Sequence, residues 1–302
     1  RGLADAPLDA RVEARLAGAR AARASAAAAY DLVESESLRA LAAYERAGDL
    51  RNATTQRTVL GIVALKGGRY DDAAAWLEAS LAVSAKHRLA LGQGMALRHL
   101  ALVDAARGDL DRALVRSAEA IEHLGGTEHA TLQAGARCER AQMLLDRGDG
   151  EGAEAEARAA CGGRGVTPMV EEFALAVRAR VSLRRGDAMR ALDFVRAARA
   201  ASPGERPVLD GRVLTAVVQV EALEALGDVA GARIVAAEAW AELTTRAGGY
   251  AEPARRTRFL EGVALHAALG AQARRLGVGV GGIAVPGAAR EQRPGSWVSG
   301  RG

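Results

Sequence analysis

Apolar runs rich in alanine alternate along the 302-residue chain with short polar turns that contain glycine. Five of these glycines stand about 40 residues apart, and a small side chain or a valine recurs at fixed distances before and after each of them. The glycines are Gly68, Gly108, Gly148, Gly186 and Gly227. Small residues let two helix axes approach closely, and helix pairs of this kind bury their apolar faces by stacking. The pattern therefore predicts an all-α fold, an α-solenoid of stacked antiparallel helix pairs.

An aspartate follows four of the five glycines, as in the pair Gly108-Asp109. Glycine readily adopts the left-handed conformation that ends a helix, and aspartate at the next position caps the following helix by accepting hydrogen bonds from its first N–H groups. We therefore expect the Gly-Asp pair to separate the two helices of each unit. The pair Gly48-Asp49 does not fit the spacing of the other pairs, and we expect it at the end of a second helix.

The segment 60–81, LGIVALKGGRYDDAAAWLEASL, resembles a tetratricopeptide repeat. The residues that carry the resemblance are Leu60, Gly61, Gly68, Tyr70, Ala73, Leu77 and Ser80. The segment 100–121 follows the same plan, and the resemblance extends over roughly residues 20–276. The period exceeds the usual 34 residues of this family, which implies longer helices or longer loops. The resemblance implies a module that binds a protein or peptide partner.

Two shorter segments, 43–61 and 255–276, resemble the C-terminal repeat region of large bacterial Ser/Thr kinases that also carry an ATPase module. In that region an Arg-x-x-Phe-Leu segment, here Arg256, Phe259 and Leu260, opens the closing helix. The chain departs from the pattern where VALHAAL replaces a typical Pro-Glu-Asn turn. The resemblance implies a regulatory or sensor region, and the chain itself lacks the sequence signatures of kinase catalysis.

These observations predict four parts of the chain. We expect a linker or partial helix over 1–20, five to six repeats over 21–251, a capping helix over 252–276 and a disordered tail rich in Gly, Pro and Arg over 277–302. The sequence begins at Arg1 without an initiator methionine, so we expect a fragment or a processed piece of a longer protein.

Charge, hydrophobicity and cysteine content indicate which partners and which cellular location to expect. The net charge of +4 is spread along the chain and basic residues alternate with acidic ones, so we expect no nucleic-acid partner. No stretch approaches the roughly 18 uncharged apolar residues of a membrane span, so we expect no membrane partner. Cys138 and Cys161 lie far apart without metal-ligand spacing, which favours reduced thiols and a cytoplasmic location.

Patterns typical of catalysis or of cofactor binding are not found. Gly277, Gly279 and Gly282 form a G-x-G-x-x-G, but a predicted helix precedes it where a dinucleotide site needs a strand. The five histidines include no pair at i, i+4 that presents two imidazoles to a metal ion. We therefore expect no enzyme activity in this chain, no cofactor and no metal. The aromatic residues at helical spacing are expected in the core: Trp76, Phe173, Phe194, Trp240 and Phe259.

A groove remains as the candidate site. In a right-handed stack of helix pairs the first helices line the concave side, and residues one turn away from the packing positions point into it. The candidates for partner binding are Arg98, Gln142, Arg180, Arg184, Glu221 and Glu224. Arg180 and Arg184 lie one turn apart and can bind a carboxylate or a phosphate together, but an ordinary solvated arginine face paired with nearby acids explains the same pattern.

Two functions follow as expectations. The first is a non-enzymatic protein-interaction scaffold or sensor module that binds a partner peptide or protein in the concave groove. The alternative is the regulatory or sensor region of a multidomain bacterial Ser/Thr protein kinase or ATP-dependent transcriptional regulator, with its catalytic domain outside this chain.

Overall fold

A computed structural model describes residues 9–125, 129–161, 166–202 and 210–279. Within these ranges the chain forms fourteen α-helices, one π-helical turn and no β-strand, so the prediction of an all-α solenoid is confirmed. No helix of this part of the chain is both long and apolar enough to cross a bilayer. The helices are α1 (Ala10–Ala26), α2 (Tyr30–Arg46), α3 (Leu50–Lys66), α4 (Tyr70–Lys86), α5 (Ala90–Ala106), α6 (Leu110–Gly125), α7 (Ala130–Arg147), α8 (Gly150–Ala160), α9 (Pro168–Arg184), α10 (Ala188–Ala201), α11 (Asp210–Ala225), α12 (Val229–Ala247), α13 (Pro253–Thr257) and α14 (Ala264–Arg275), with the π-helical turn Arg258–Gly262 between the last two.

The period of about 40 residues consists of two equal halves. The helices α1 to α5 begin at positions 10, 30, 50, 70 and 90, and each of them is 17 residues long. A residue with positive φ separates each helix from the next, at Ala28, Gly48, Gly68, Arg88 and Gly108. Gly48 lies at the end of a second helix, as expected, and it ends that helix in the same way as Gly108 ends a first helix. The long period therefore comes from long helices.

The predicted caps are present. The side chain of Asp109 accepts a hydrogen bond from the N–H of Arg112 at 3.1 Å, and Asp149 accepts one from the N–H of Gly152 at 2.8 Å. Asp49 caps α3 in the same manner through the N–H of Asn52. Each cap satisfies a backbone donor that has no partner within the helix and stabilises the fold by about 1 kcal/mol.

The recurring small residues lie in the tightest helix contacts, as predicted. A Cβ atom placed on Gly61 would lie 2.5 Å from Cγ of Leu77, so only glycine permits this crossing of α3 and α4 without a shift. The alanines five residues after each period glycine are fully buried: Ala73, Ala113, Ala153, Ala191 and Ala232. Successive helices pack along the whole array, so the core is continuous from pair to pair.

The two ends of the array add detail to the predicted parts of the chain. α1 begins at Ala10, inside the segment predicted as a linker or partial helix, because one alanine-rich face of α1 is buried against α2. The segment predicted as a single capping helix is divided into α13, the π-helical turn and α14, since Val263 adopts an extended conformation and interrupts the helix. Of the predicted tail, residues 280–302 lie outside the described residues.

Candidate functional site

The last helices of the array return to its first helices. The rings of Tyr30 and Tyr250 stack with their centroids 4.7 Å apart. The Phe259 ring completes the cluster, with its centroid 5.8 Å from that of Tyr30 and 5.6 Å from that of Tyr250. Tyr250 and Phe259 are buried there. This aromatic cluster joins the start of α2 to the segment that follows α12.

Charged groups surround the aromatic cluster. The Arg255 guanidinium pairs with Asp31 at 2.7 Å and also with Glu34, while Arg69 pairs with Glu34 at 2.9 Å. The N–H of Ala251 donates a hydrogen bond to the Asp31 carboxylate at 2.6 Å. Burial raises the pKa of Glu34, but hydrogen bonds from Arg255 and Arg69 outweigh burial and hold this pKa below its ordinary value. We call the aromatic cluster and these ion pairs the closure contact.

Backbone segments also approach each other directly at the closure contact. A Cβ atom on Gly249 would lie 1.7 Å from the carbonyl oxygen of Ala28, a distance that no side chain tolerates. One helix pair further along, the hydroxyl of Tyr70 donates a hydrogen bond to the carbonyl oxygen of Gly262 at 2.8 Å. The C-terminal segment is therefore held against the turn before α2 and against the start of α4.

An apolar cavity of about 540 Å³ lies next to the closure contact. Its walls come from α1, α2, α3, α9, α12, the π-helical turn and α14, so residues from both ends of the array face the same space. Its apolar lining includes Val33, Val59, Ile62, Met169, Phe259 and Val263. The volume lies in the range of about 300–1,000 Å³ that is typical of ligand sites.

A second cavity of about 470 Å³ continues the first along α3, α5 and α7. The two cavities share Val59 and Ile62 as lining residues, so they form one continuous surface, which we call the inner groove. The first helices of the pairs supply most of this lining, as the geometry of the predicted solenoid requires.

The charged side chains that line the inner groove are all basic. Lys66 and Arg246 line the first cavity, and Arg51 and Arg88 line the second. Neither cavity has an aspartate or a glutamate among its lining residues. Arg246 forms an ion pair with Glu242 of the same helix at 3.1 Å. Glu242 itself lines neither cavity.

The residues predicted from the sequence lie on the first helices but outside the lining of the inner groove. Nε and Nη2 of Arg98 each donate a hydrogen bond to the carboxylate of Glu139 at 2.6 Å. Arg180 reaches Asp146 at 3.1 Å and Gln142 at 3.4 Å, so the structure brings Gln142 and Arg180 together. These side chains connect neighbouring repeats.

The two predicted glutamates contact α14. Glu221 accepts a hydrogen bond from Gln272 at 3.3 Å, and Glu224 pairs with Arg275 at 2.6 Å. Arg184 is exposed near the end of α9. The binding of a partner by these six residues stays a prediction. The lining of the first cavity was missed because part of it depends on the return of the C-terminal segment to α2, which no repeated pattern in the sequence encodes.

Two buried titratable groups, His99 and Cys138, are held in their neutral forms. Burial and the charge of Arg98 lower the pKa of His99 to about 3. Burial raises the pKa of the Cys138 thiol, so this cysteine is not a thiolate near neutral pH. The part of the chain that the structure describes also contains no group of three or more His, Cys, Asp and Glu side chains arranged to hold a metal ion.

No protein-family model matches the sequence, and no curated protein matches it either. Solved structures do resemble the fold. The chain is similar to a Rap protein crystallised with Competence and Sporulation Factor, with a TM-score of 0.59 and 15% identity over 90% of this chain and 76% of that one. It is also similar to a chain of the APC/C hetero-tetramer Cut9-Hcn1, with a TM-score of 0.50 and 13% identity over 86% of this chain and 55% of that one. These likenesses show a tetratricopeptide-type solenoid fold.

Proposed function

We propose that this chain is a non-enzymatic protein-interaction module, a scaffold or sensor that binds a segment of a partner peptide or protein in its inner groove. The observation that carries the proposal is the apolar lining of the first cavity, where Ile62, Met169 and Val263 are only half-buried. Apolar side chains that converge on a concave surface with a few polar groups form the usual architecture of a binding site, because a ligand removes them from water.

The structural neighbours support the same class of function. The similar Rap protein is complexed with Competence and Sporulation Factor, and the similar Cut9-Hcn1 assembly is a hetero-tetramer. Each of these two names describes a protein in complex with another molecule.

A peptide-display selection against the purified chain tests the proposal. Ala22 is exposed on α1 and lines the first cavity, so Ala22→Trp fills the groove without entering the core. Ala19 is exposed on the same helix but lines neither cavity, so Ala19→Trp is the matched control. We expect selected peptides to lose roughly tenfold in affinity with Ala22→Trp and to bind the control as they bind the parent chain.

The same peptides distinguish the inner groove from the residues predicted on sequence grounds. The double variant Arg180→Glu with Arg184→Glu changes two predicted residues that lie outside the groove lining. Peptides that bind Ala22→Trp normally and lose affinity for the double variant would move the site to α9. A selection that recovers no peptide at all would contradict the proposed function.

A second candidate concerns the parent protein. The segment that resembles the kinase-associated repeat region ends the array and holds the closure contact: Nε–H of Arg256 donates to the carbonyl oxygen of Tyr250 at 2.6 Å, and Phe259 and Leu260 are buried. As the regulatory or sensor region of a cytoplasmic Ser/Thr kinase or ATP-dependent transcriptional regulator, this chain would report groove occupancy to a catalytic domain. The upstream coding sequence tests this: an in-frame kinase or ATPase module supports it, and an independent start codon beside Arg1 contradicts it.

A further inference from the structure

We propose that the inner groove selects an acidic segment that also carries aliphatic side chains, and that Lys66 is the principal residue that binds its carboxylates. The inference rests on the proposed function and specifies the chemistry of the partner. It concerns the composition of the bound segment, which the apolar lining alone does not determine.

The first argument is the unbalanced charge of the groove. Arg51, Lys66 and Arg88 line the two cavities, and none of them forms an ion pair with the described residues. Elsewhere in the described part of the chain ion pairs between neighbouring helices are frequent, as at Arg98 with Glu139. Basic side chains without an ion-pair partner, on a wall that contributes no carboxylate, favour a ligand that brings negative charge.

Lys66 is the best placed of these cations. It is half-buried in the last turn of α3 and lines the larger cavity beside Val63 and Ile62, whereas Arg51 and Arg88 are exposed. Partial burial weakens screening by salt and water, so an ion pair made at Lys66 is stronger than one made at a fully exposed lysine. The ammonium group also accepts several orientations of a carboxylate because its charge is a compact point on a flexible stem.

A buried hydroxyl gives an independent indication of a ligand. Ser37 lines the same cavity, its side chain is fully buried, and its Oγ has no hydrogen-bond partner among the described residues. A buried polar group without a partner is uncommon and destabilises the fold. A side-chain rotation that turned this hydroxyl into the cavity would let it donate a hydrogen bond to a carboxylate or carbonyl oxygen there.

The length of the groove favours an extended segment over a small metabolite. The two cavities are lined by α1, α3, α5 and α7, which are successive first helices of the array. With helix axes about 8–10 Å apart, the groove extends over roughly 25–30 Å. An extended chain rises about 3.3 Å per residue, so the groove holds about eight residues.

The C-terminal tail of the chain itself has the wrong charge to be the occupant. Residues 280–302 contain Arg290, Arg293 and Arg301 but a single acid, Glu291. A basic segment is repelled by a groove that already carries uncompensated positive charge. The occupant is therefore a separate acidic partner.

Fluorescence anisotropy with three synthetic nonapeptides and the full chain tests the inference. The first probe alternates glutamate with leucine and alanine, the second replaces each glutamate by lysine, and the third replaces each aliphatic residue by serine. We expect the first probe to bind at least roughly tenfold more tightly than either of the others. Lys66→Glu should weaken the first probe by roughly tenfold and strengthen the lysine probe.

Lys86→Glu provides the matched control, because Lys86 is the other lysine of the chain, is exposed at the end of α4 and lines neither cavity. Equal binding of the first two probes, no binding of the first probe, or equal effects of the two lysine variants would overturn the inference. Tight binding of a synthetic 280–302 peptide, or self-association in sedimentation velocity that Ala22→Trp abolishes, would overturn it in favour of the tail or of a second copy. In each case display-selected peptides that remain sensitive to Ala22→Trp would leave the proposed function standing.

Discussion

The rings of Tyr30 and Tyr250 stack face to face, with an interplanar angle of 26°, although one residue begins α2 and the other follows α12. A solenoid usually places its two ends apart because each repeat contacts only its neighbours. Here the stack, the Arg255 ion pairs and the Gly249 backbone contact join the ends. The first cavity of the inner groove is consequently a property of the whole array, since its walls come from both ends.

Substitution of Gly249 by alanine should open this closure. The new Cβ atom would lie 1.7 Å from the Ala28 carbonyl oxygen, so the two backbones must separate, at a cost of about 1–3 kcal/mol. We expect a lower thermal midpoint and a larger radius of gyration in small-angle X-ray scattering. Gly150→Ala is the control, because a Cβ there meets nothing within 4 Å. Identical scattering curves for the two variants would contradict a closed array.

At the positive-φ positions between helices, replacing glycine by alanine should lower stability and replacing alanine by glycine should raise it. Gly108 has φ of 85° and open space around it, so Gly108→Ala introduces backbone strain without a clash and should lower the free energy of unfolding by about 1 kcal/mol. Ala28 has φ of 53°, and Ala28→Gly should relieve such strain and raise stability by up to about 1 kcal/mol. Urea denaturation measures both changes. A loss of stability in both variants would mean that the φ angle does not determine the effect.

The helix pairs were predictable because their signals are local. Each helix pair carries its own signals: a glycine at the turn, an aspartate directly after it and an alanine five residues after the glycine, as at Gly108, Asp109 and Ala113. The same three residue types recur in successive units, so the pattern is visible in the sequence. The half-period was missed because Ala28 and Arg88 adopt the left-handed conformation without being glycine. An alanine or an arginine in a sequence does not indicate a left-handed conformation.

The groove was only partly predictable for a different reason. Its lining comes mainly from first helices, which follows from solenoid geometry, but which turn of each helix faces the cavity depends on where the array closes. Tyr30 and Phe259 occupy ordinary helical positions in the sequence and meet only in the folded array. Phe259, one of the five aromatic residues expected in the core, is buried and also lines the first cavity, so one side chain serves both the closure contact and the groove.

The buried pair of Arg98 and Glu139 should respond as a unit in a double-mutant cycle. Both guanidinium contacts are 2.6 Å long, and both side chains are largely buried. Arg98→Met leaves the Glu139 charge without its partner and should lower the free energy of unfolding by about 3 kcal/mol. Arg98→Met combined with Glu139→Met removes both charges and should cost clearly less than that single change. If the losses in free energy of unfolding of the two single variants add up in the double variant, the two side chains act independently. Partner binding by Arg98 would then have to be tested apart from stability.

Stability should fall on mild acidification because of His99. The ring is buried, donates from Nδ1 to the Met95 carbonyl oxygen at 2.7 Å, and has a folded-state pKa of about 3 against an ordinary value of 6.5. Below pH 6.5 the unfolded chain therefore binds a proton that the folded chain does not. The free energy of unfolding should decrease from pH 6.5 towards pH 3, with a slope of up to about 1.4 kcal/mol per pH unit from this group.

Urea denaturation between pH 7 and pH 5 measures this slope before most carboxylates titrate. His99→Gln should be less stable than the parent chain at pH 7 and should show a flatter dependence on pH, because the group that takes up the proton is gone. His87→Gln is the matched control, since His87 is exposed at the end of α4, and it should keep the slope of the parent chain. If His99→Gln kept the full slope, proton uptake at another group would have to account for it, and His99 would then be a packing residue without a role in the response to pH.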